Sequence, residues 1–279
     1  MFGAAGKLFG SVPTPTPWDI RNLVTTGRTM SYLSETAGGT RFTFGDSGSK
    51  IYVQRDTFNI NEVYQYNLTV AWDISTGSYA SKTFNTTPET INGVAGIYLS
   101  SDGTKMYICS INVDEIFQYT LSTPWDVSTA SYAAKSLDPS TEDSQVGDFS
   151  INEAGTRIYV LGRSNNRIYQ YTMSSPDDIS TASYDSKSFD HTSEAADVFA
   201  MWMDPTGTYL FLFEPTSDKA FRYTFGTPGD LDTLSYDSMT VDLSSEDPTA
   251  PWFYIKADGI NLYMLQGSVD EIEEYRLQT

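Results

Sequence analysis

The chain has 279 residues, of which 39% are hydrophobic and 14% aromatic, so it carries enough apolar surface for a substantial core and is not a wholly disordered protein. It has 36 acidic and 17 basic residues, a formal net charge of −19, and no basic stripe. This charge excludes nucleic acids and anionic membrane surfaces as partners, because both are bound through Lys and Arg.

The chain begins with a short extension, residues 1–16, that differs in composition from the rest. It combines small and apolar residues, interrupted by Lys7, with a Pro-Thr spacer. It lacks the long apolar core of a secretory signal, and no other stretch approaches the ~18 apolar residues of a membrane-spanning helix, so we expect no membrane insertion. We interpret the extension as an assembly arm whose apolar residues Phe2, Leu8 and Phe9 fasten to a neighbouring subunit. An ordinary disordered terminus is the alternative.

After the extension, residues 17–279 contain five copies of one repeat. A glycine that follows a polar turn recurs every 52 to 55 residues, and a tyrosine that closes a later apolar run recurs every 52 or 53. The glycines are Gly48, Gly103, Gly155, Gly207 and Gly259, and the tyrosines are Tyr66, Tyr119, Tyr171, Tyr223 and Tyr275. Two independent markers at one period indicate repeated supersecondary units rather than two ordinary domains.

Each repeat contains four segments of strand length, which in the second copy are about 95–99, 105–109, 115–121 and 132–137. The first strand has apolar residues two positions apart, which we expect to pack blade against blade. The second strand is apolar on both faces and should lie in the buried middle. Four antiparallel strands at this period are typical of propeller blades, so the sequence predicts an all-β, five-bladed β-propeller. The predicted blades are about 35–84, 85–137, 138–189, 190–242 and 243–279.

The two ends of the repeat array complement each other. A third marker, the Asp of a Trp-Asp-Ile-Ser-Thr-like stretch, occurs at Asp19 before the first complete blade and has no counterpart after Tyr275. Residues 17–34 therefore fit as the outer strand that the last blade lacks, and residues 17–279 form one domain. We predict the "velcro" closure of a circular propeller, which removes an exposed strand edge.

Two acidic series run through the repeats. The aspartates of the third marker are expected to cap their own turns; they are Asp19, Asp73, Asp126, Asp178 and Asp230. Sixteen positions after each aspartate stands a glutamate, in a loop that crosses to the next blade; these are Glu35, Glu89, Glu142, Glu194 and Glu246. One interpretation is a Ca²⁺-binding ring on one face, because carboxylates suit that ion. The other is that each glutamate accepts backbone N–H bonds or pairs with a strand cation, namely Arg28, Lys82, Lys135 or Lys187.

The loops between second and third strands should open on the same face as the glutamates, and they differ from copy to copy. The candidate contact residues there are Phe58, Asn59, Ile60, Asn112, Asn165, Asn166, Asp218 and Asp270. Binding residues on rigid scaffolds commonly lie in such loops, although irregular solvated loops would have the same composition. The tryptophans of the third marker (Trp18, Trp72 and Trp125) are interpreted as covers for blade edges rather than as sugar-stacking residues.

Catalysis finds little support in the sequence. The single histidine, His191, lies in a crossing loop without a matched Ser or Cys neighbourhood. No phosphate loop, zinc spacing or dinucleotide fingerprint is present. Glycoside hydrolysis by paired carboxylates, drawn from Asp148, Asp197 and Asp204, stays an alternative. We predict that the protein is not an enzyme and that Ca²⁺ is its one candidate cofactor.

The segments Gly-Thr-Lys-Met-Tyr-Ile (103–108) and Ile-Phe-Gln-Tyr-Thr-Leu-Ser-Thr-Pro-Trp-Asp-Val-Ser-Thr-Ala-Ser-Tyr (116–132) resemble a propeller repeat of predicted proteins from aquatic bacteria and their tailed phages. The resemblance extends over residues 17–279. A phage origin implies a virion protein of a tail, fibre or capsid appendage, made in the host cytoplasm without a signal peptide.

That resemblance implies a non-enzymatic protein that serves virion assembly or host-surface attachment. Its expected partners are other virion proteins, bound through the N-terminal arm, and a host-surface glycan or receptor. The main alternative is a bacterial carbohydrate-binding or adhesion propeller, which should carry equivalent pockets between its blades. A lactonase-like or glycosidase-like enzyme is a weaker alternative.

Overall fold

A computed structural model describes residues 15–35, 38–57, 60–90, 93–246 and 252–277, and these form five antiparallel β-sheets of four strands each. In chain order the strands are β1 (Leu23–Ser31), β2 (Gly39–Gly45), β3 (Lys50–Thr57), β4 (Ile60–Leu68), β5 (Gly77–Asn85), β6 (Val94–Leu99), β7 (Lys105–Ser110), β8 (Glu115–Leu121), β9 (Ala130–Leu137), β10 (Val146–Ile151), β11 (Arg157–Gly162), β12 (Arg167–Met173), β13 (Ala182–Asp190), β14 (Ala200–Met203), β15 (Tyr209–Glu214), β16 (Lys219–Phe225), β17 (Leu234–Asp242), β18 (Phe253–Ile255), β19 (Asn261–Gln266) and β20 (Glu271–Leu277). The strands of the second copy differ from the predicted ones by at most two residues at either end.

The sheets are the blades of a five-bladed propeller, as the sequence predicts. Blades one to four follow the chain, as β2–β5, β6–β9, β10–β13 and β14–β17, with the first strand of each innermost. The inner strands β2, β6, β10, β14 and β18 contact one another in cyclic order, and β18 contacts β2, so the ring is closed. Among the described residues no helix has the length and apolar composition that crossing a membrane requires.

The fifth blade is completed by the N-terminal strand, which confirms the predicted closure. Strand β1 pairs antiparallel with β20, from Leu23 opposite Leu277 to Ser31 opposite Glu271. The backbone N–H of Trp18 also donates to the Gly259 carbonyl at 2.7 Å. Both ends of the described chain are therefore joined within one sheet.

Packing between blades follows the predicted alternation. In the third blade, Phe149 and Ile151 of the inner strand pack against Tyr107 and Cys109 of the preceding blade. The second strands are buried on both faces, as at Ile158–Leu161, where each side chain is at most 1% exposed. Burial in this apolar layer raises the pKa of the Cys109 thiol well above its usual value, as expected for a packing residue.

Every outer strand is interrupted at the same point. One residue of each has a positive φ, and the pairing register shifts beside it. These residues are Gly27, Ser81, Ala134, Ser186 and Ser238. Such bulges twist a strand edge and protect it from pairing with another chain.

The aspartates of the third marker cap their turns, which confirms that prediction, and four of them also link neighbouring blades. Each accepts a hydrogen bond from the backbone N–H two residues later. The second partners are strand cations of the preceding blade, in the pairs Arg28–Asp73, Lys82–Asp126, Lys135–Asp178 and Lys187–Asp230. The prediction that these cations pair with the glutamates is therefore wrong, because the twist of each blade carries its outer strand toward the next blade's turn.

The fourth blade departs from this pattern. Its outer strand has buried Met239 at the cation position, and Asp19 pairs with Arg21 instead.

The four ion pairs between blades are partly exposed to solvent. Such pairs contribute about 0.2–1 kcal/mol each, so they orient the blades more than they hold the ring together.

Candidate functional site

The five glutamates lie on the face that carries the crossing loops, and three of them accept hydrogen bonds from tyrosines. Glu142 accepts a hydrogen bond from the Tyr171 hydroxyl at 2.8 Å, and Glu89 accepts one from Tyr119 at 3.4 Å. Burial, followed by the hydrogen bond to Glu142, raises the pKa of Tyr171. The same pairing relates Glu246 to Tyr275.

The remaining two glutamates lie near a tyrosine but accept hydrogen bonds from the preceding serine, Glu35 from Ser34 and Glu194 from Ser193. After burial, the charge of Glu35 raises the pKa of Tyr66, and that of Glu194 raises the pKa of Tyr223. Within the described ranges no three His, Cys, Asp or Glu side chains are grouped as a metal would require. The structure thus gives these carboxylates tyrosine and serine hydroxyls as partners, which neither sequence interpretation contained.

The candidate loop residues mostly build their own turns. Asn166, Asp218 and Asp270 have left-handed backbone conformations, with φ of 51°, 52° and 54°. Asn165 donates from its side-chain amide to the Glu142 carbonyl at 3.0 Å, and Asp270 accepts from the Gly38 N–H at 2.9 Å.

The remaining described loop candidates lie away from the two cavities described below. Ile60 is 41% exposed at the start of β4. Phe58 and Asn59, like Phe2, Leu8 and Phe9 of the arm, lie outside the described residues. Asn112 and the other described candidates do not line either of the two cavities described below.

The acidic residues considered for hydrolysis are engaged separately. Asp148 is fully buried, its carboxylate accepts the N–H groups of Phe149 and Met201 at 2.8 Å each, and burial raises its pKa to about 8. Asp197 pairs with Arg163 at 3.6 Å. Asp204 accepts the Thr206 N–H at 3.0 Å and so closes a hairpin turn.

His191 is a buried packing residue of a crossing loop. Its Nδ1 lies 2.7 Å from the Ala195 carbonyl oxygen, and burial lowers its pKa, which keeps the ring neutral. The side chain therefore supports the loop at this point in the ring.

On the crossing-loop face, Arg41 spans the axis of the ring. Its Nε donates to the Ala95 carbonyl at 2.6 Å, its Nη1 to Thr40 at 2.8 Å, and its Nη2 to Phe199 at 3.3 Å. The guanidinium also lies over the Trp252 ring, 5.3 Å from its centroid. Because these carbonyls belong to inner strands or adjoining segments of three blades, this one side chain closes that end of the axis.

At the opposite end of the axis a cavity of about 510 Å³ opens between the first hairpin turns of the blades. The middle residue of every inner strand lines it, which gives Thr43, Tyr98, Ser150, Trp202 and Tyr254. Further aromatic walls come from Phe44, Trp72 and Trp125. We call this cavity, with these eight lining residues, the aromatic funnel.

The rings of the aromatic funnel contact one another across blades. The ring centroids of Trp202 and Tyr254 are 5.7 Å apart, and those of Phe44 and Tyr254 are 5.0 Å apart. Polar residues of the lining include Asp46, Ser101 and Glu153. The arrangement can hold a ligand that offers an apolar face to the rings and hydroxyl groups to the carboxylates.

Sequence reasoning missed this site because it assigned the inner strands to packing alone. The apolar pairs, such as Ile97 and Leu99, do pack between blades, but the residue between them faces the axis. Aromatic residues at three of the five middle positions, Tyr98, Trp202 and Tyr254, were the available signal.

The sequence interpretation places the marker tryptophans over blade edges, whereas in the structure they pack on the first hairpin turns, and two of them also line the aromatic funnel. A Cβ atom at Gly48 would lie 2.1 Å from the Trp72 ring, and one at Gly103 would lie 2.2 Å from the Trp125 ring. The equivalent positions of blades three and four are Asp177 and Gly229. All five residues have φ between 57° and 67° and donate a backbone hydrogen bond of 2.7–2.9 Å to the hairpin glycine.

Where Gly229 replaces the tryptophan, the nearest described atoms over the hairpin glycine of the fourth blade, Gly207, are backbone atoms rather than an indole ring. A cavity of about 380 Å³ lies there between blades three and four. We call it the side slot; its lining includes Asn152, Glu153, Arg157, Tyr159, Met203, Pro205 and Thr206. It shares Glu153, Met203 and Pro205 with the aromatic funnel, so the two cavities adjoin. Because the tryptophan position differs among blades, the ring does not present five equivalent pockets.

Comparison with known proteins identifies the fold and goes no further. No protein-family model matches the chain, and no curated protein matches it. A putative 6-phosphogluconolactonase from Bacteroides fragilis NCTC 9343 is similar in structure, with a TM-score of 0.55, 11% identity, and coverage of 87% of this chain and 81% of that one.

A second similar structure is a putative 6-phosphogluconolactonase from Bacteroides uniformis ATCC 8492. Its TM-score is 0.52 at 13% identity, over 83% of this chain. The chain spans 65% of that protein's length, which is less than two thirds. At these identities the likeness shows a shared β-propeller fold alone.

Proposed function

We propose that this protein is a non-enzymatic attachment protein of a phage particle and that it binds carbohydrate on the host surface through the aromatic funnel. The resemblance of its repeat to phage propeller proteins supports the placement in a virion. The aromatic funnel is the observation that supports binding, because it is a concave site lined by aromatic rings with a few polar groups.

Carbohydrate fits the chemistry of this lining better than other common ligand classes do. The C–H face of a sugar ring is apolar and packs on Trp and Tyr rings, while its hydroxyls bond to carboxylates such as Asp46 and the exposed Glu153. A polyanion is disfavoured in the funnel because these carboxylates add to a net charge of −19.

The glycan site is tested with a glycan array and two tyrosine variants. We expect the intact protein to bind a defined set of glycans and Tyr98→Ser to bind them about tenfold more weakly, which corresponds to a loss of roughly 1.4 kcal/mol. Serine is tolerated at this strand position, because Ser150 occupies it in the next blade. Tyr132→Ser, on an exposed outer strand, is the matched control and should bind like the intact protein.

Two results would count against the proposal. Binding of no glycan on the array would remove the attachment function. Absence of the protein from purified particles, measured by mass spectrometry, would remove the virion placement, and glycan binding without it would favour the bacterial adhesion alternative. The assembly role of Phe2, Leu8 and Phe9 belongs to the same proposal, since a chain lacking residues 1–16 should then be missing from particles.

A further inference from the structure

We infer that the side slot is a second carbohydrate subsite that takes a sugar bearing a carboxylate, next to the sugar held in the aromatic funnel. This inference rests on the proposed function and specifies the ligand class for that site. Two observations support it: a glycine, Gly229, stands where other blades have a tryptophan and leaves a gap there, and the guanidinium of Arg157 lines the side slot.

The gap has the shape left by an absent ring. The backbone at Gly229 has the conformation of Trp72 and Trp125, with φ of 66° against 67° and 63°, and makes the same hydrogen bond to its hairpin glycine. In those other blades an indole lies flat on the glycine. The surface around Gly207 therefore has room for a flat ring that no described residue supplies, and a sugar ring from outside can occupy it.

The cation in the side slot is available to a ligand. Arg157 donates from Nη1 to the Gly229 carbonyl at 2.8 Å and is half-buried. No described carboxylate comes within 4.0 Å of its guanidinium, whereas most described cations of this acidic protein are ion-paired, as Lys50 is with Asp46 at the equivalent strand position. A guanidinium binds a carboxylate through two parallel hydrogen bonds, which makes a carboxylate the matching ligand group.

Two features limit the ligand further. Glu153 lines both cavities, so it would repel a second negative charge, and the subsite fits one carboxylate rather than a polyanion. The lining shared with the aromatic funnel allows one oligosaccharide to place a neutral unit at the axis and an acidic unit between blades three and four.

The experiment compares each carboxylate-bearing glycan on the array with its carboxyl-reduced derivative. For the intact protein we expect the acidic form to bind at least tenfold more tightly. Arg157→Gln should remove that preference by weakening the binding of the acidic form to about the level of the reduced form. Lys105→Gln is the matched control, because this cation stands at the equivalent position of the second blade, forms no ion pair with a described residue, and lies outside both cavities.

Gly229→Trp is a second variant that fills the side slot and should also remove the preference. A Cβ atom at position 229 would lie 2.7 Å from the Tyr159 hydroxyl oxygen, so the melting temperature of Gly229→Trp is measured before its glycan binding. If Gly229→Trp does not fold, the inference is tested by Arg157→Gln alone. Three outcomes would overturn the inference and leave the proposed function standing. They are equal binding of acidic and reduced glycans, a preference for sulfated or phosphorylated glycans, and an unchanged preference in Arg157→Gln. Binding of no glycan at all would overturn both.

Discussion

Deletion of residues 1–34 is expected to abolish cooperative unfolding, whereas deletion of residues 1–16 should leave the Tm nearly unchanged. The longer deletion removes β1, which exposes the edge of β20 and takes the fully buried Tyr32 and nearly buried Met30 out of the core. It also removes Arg28, which pairs with Asp73 of the first blade. The shorter deletion keeps every one of these contacts.

The measurement is thermal unfolding of both truncated proteins, followed by circular dichroism and calorimetry. A synthetic peptide of residues 17–34, added to the longer truncation, should restore a cooperative transition because it can pair with β20. Identical melting of the two truncations and the intact protein would contradict the closure of the ring by the N-terminal strand.

Replacement of Gly103 by Ala is expected to destabilise the protein by about 2–5 kcal/mol. The glycine has a φ of 70°, which costs an alanine roughly 1–2 kcal/mol. The added Cβ would also lie 2.2 Å from the Trp125 ring, and displacing a packed side chain costs roughly another 1–3 kcal/mol. The free energy of unfolding is measured by urea denaturation.

Gly207→Ala provides the control for this prediction. Its φ of 69° imposes the same backbone strain, but the new Cβ would meet backbone atoms of Gly229 at 3.1 Å and no aromatic ring. Its loss of stability should therefore be clearly smaller than that of Gly103→Ala. Equal losses would mean that the marker tryptophans do not pack tightly on their hairpins.

Features that repeat locally were predictable from the sequence. The hairpin glycines and the closing tyrosines set the number of blades and their strands, because a turn and the strands beside it are determined by neighbouring residues. The position of Asp19 ahead of the first blade was enough to predict the pairing of β1 with β20.

Contacts between repeats were not predictable in the same way. Lys82 and Asp126 are ion-paired although they belong to different blades, and so are Lys135 and Asp178. Which side chains meet there depends on the twist of each sheet, which the repeat period does not contain. The aromatic funnel was not predicted for a related reason, because its five inner-strand residues, among them Tyr98 and Trp202, become neighbours only when the ring closes.

The side chain of Arg41 makes the aromatic funnel a dead end rather than a tunnel. With its guanidinium bonded to carbonyls of Thr40, Ala95 and Phe199, a long polymer has no way through the middle of the ring. Under the proposed function, a polysaccharide that enters the funnel along the axis would have to do so with a chain end. The number of binding sites on a glycan-coated cell would then scale with the number of chain ends. Many short chains at high surface density would therefore bind more protein than a few very long ones.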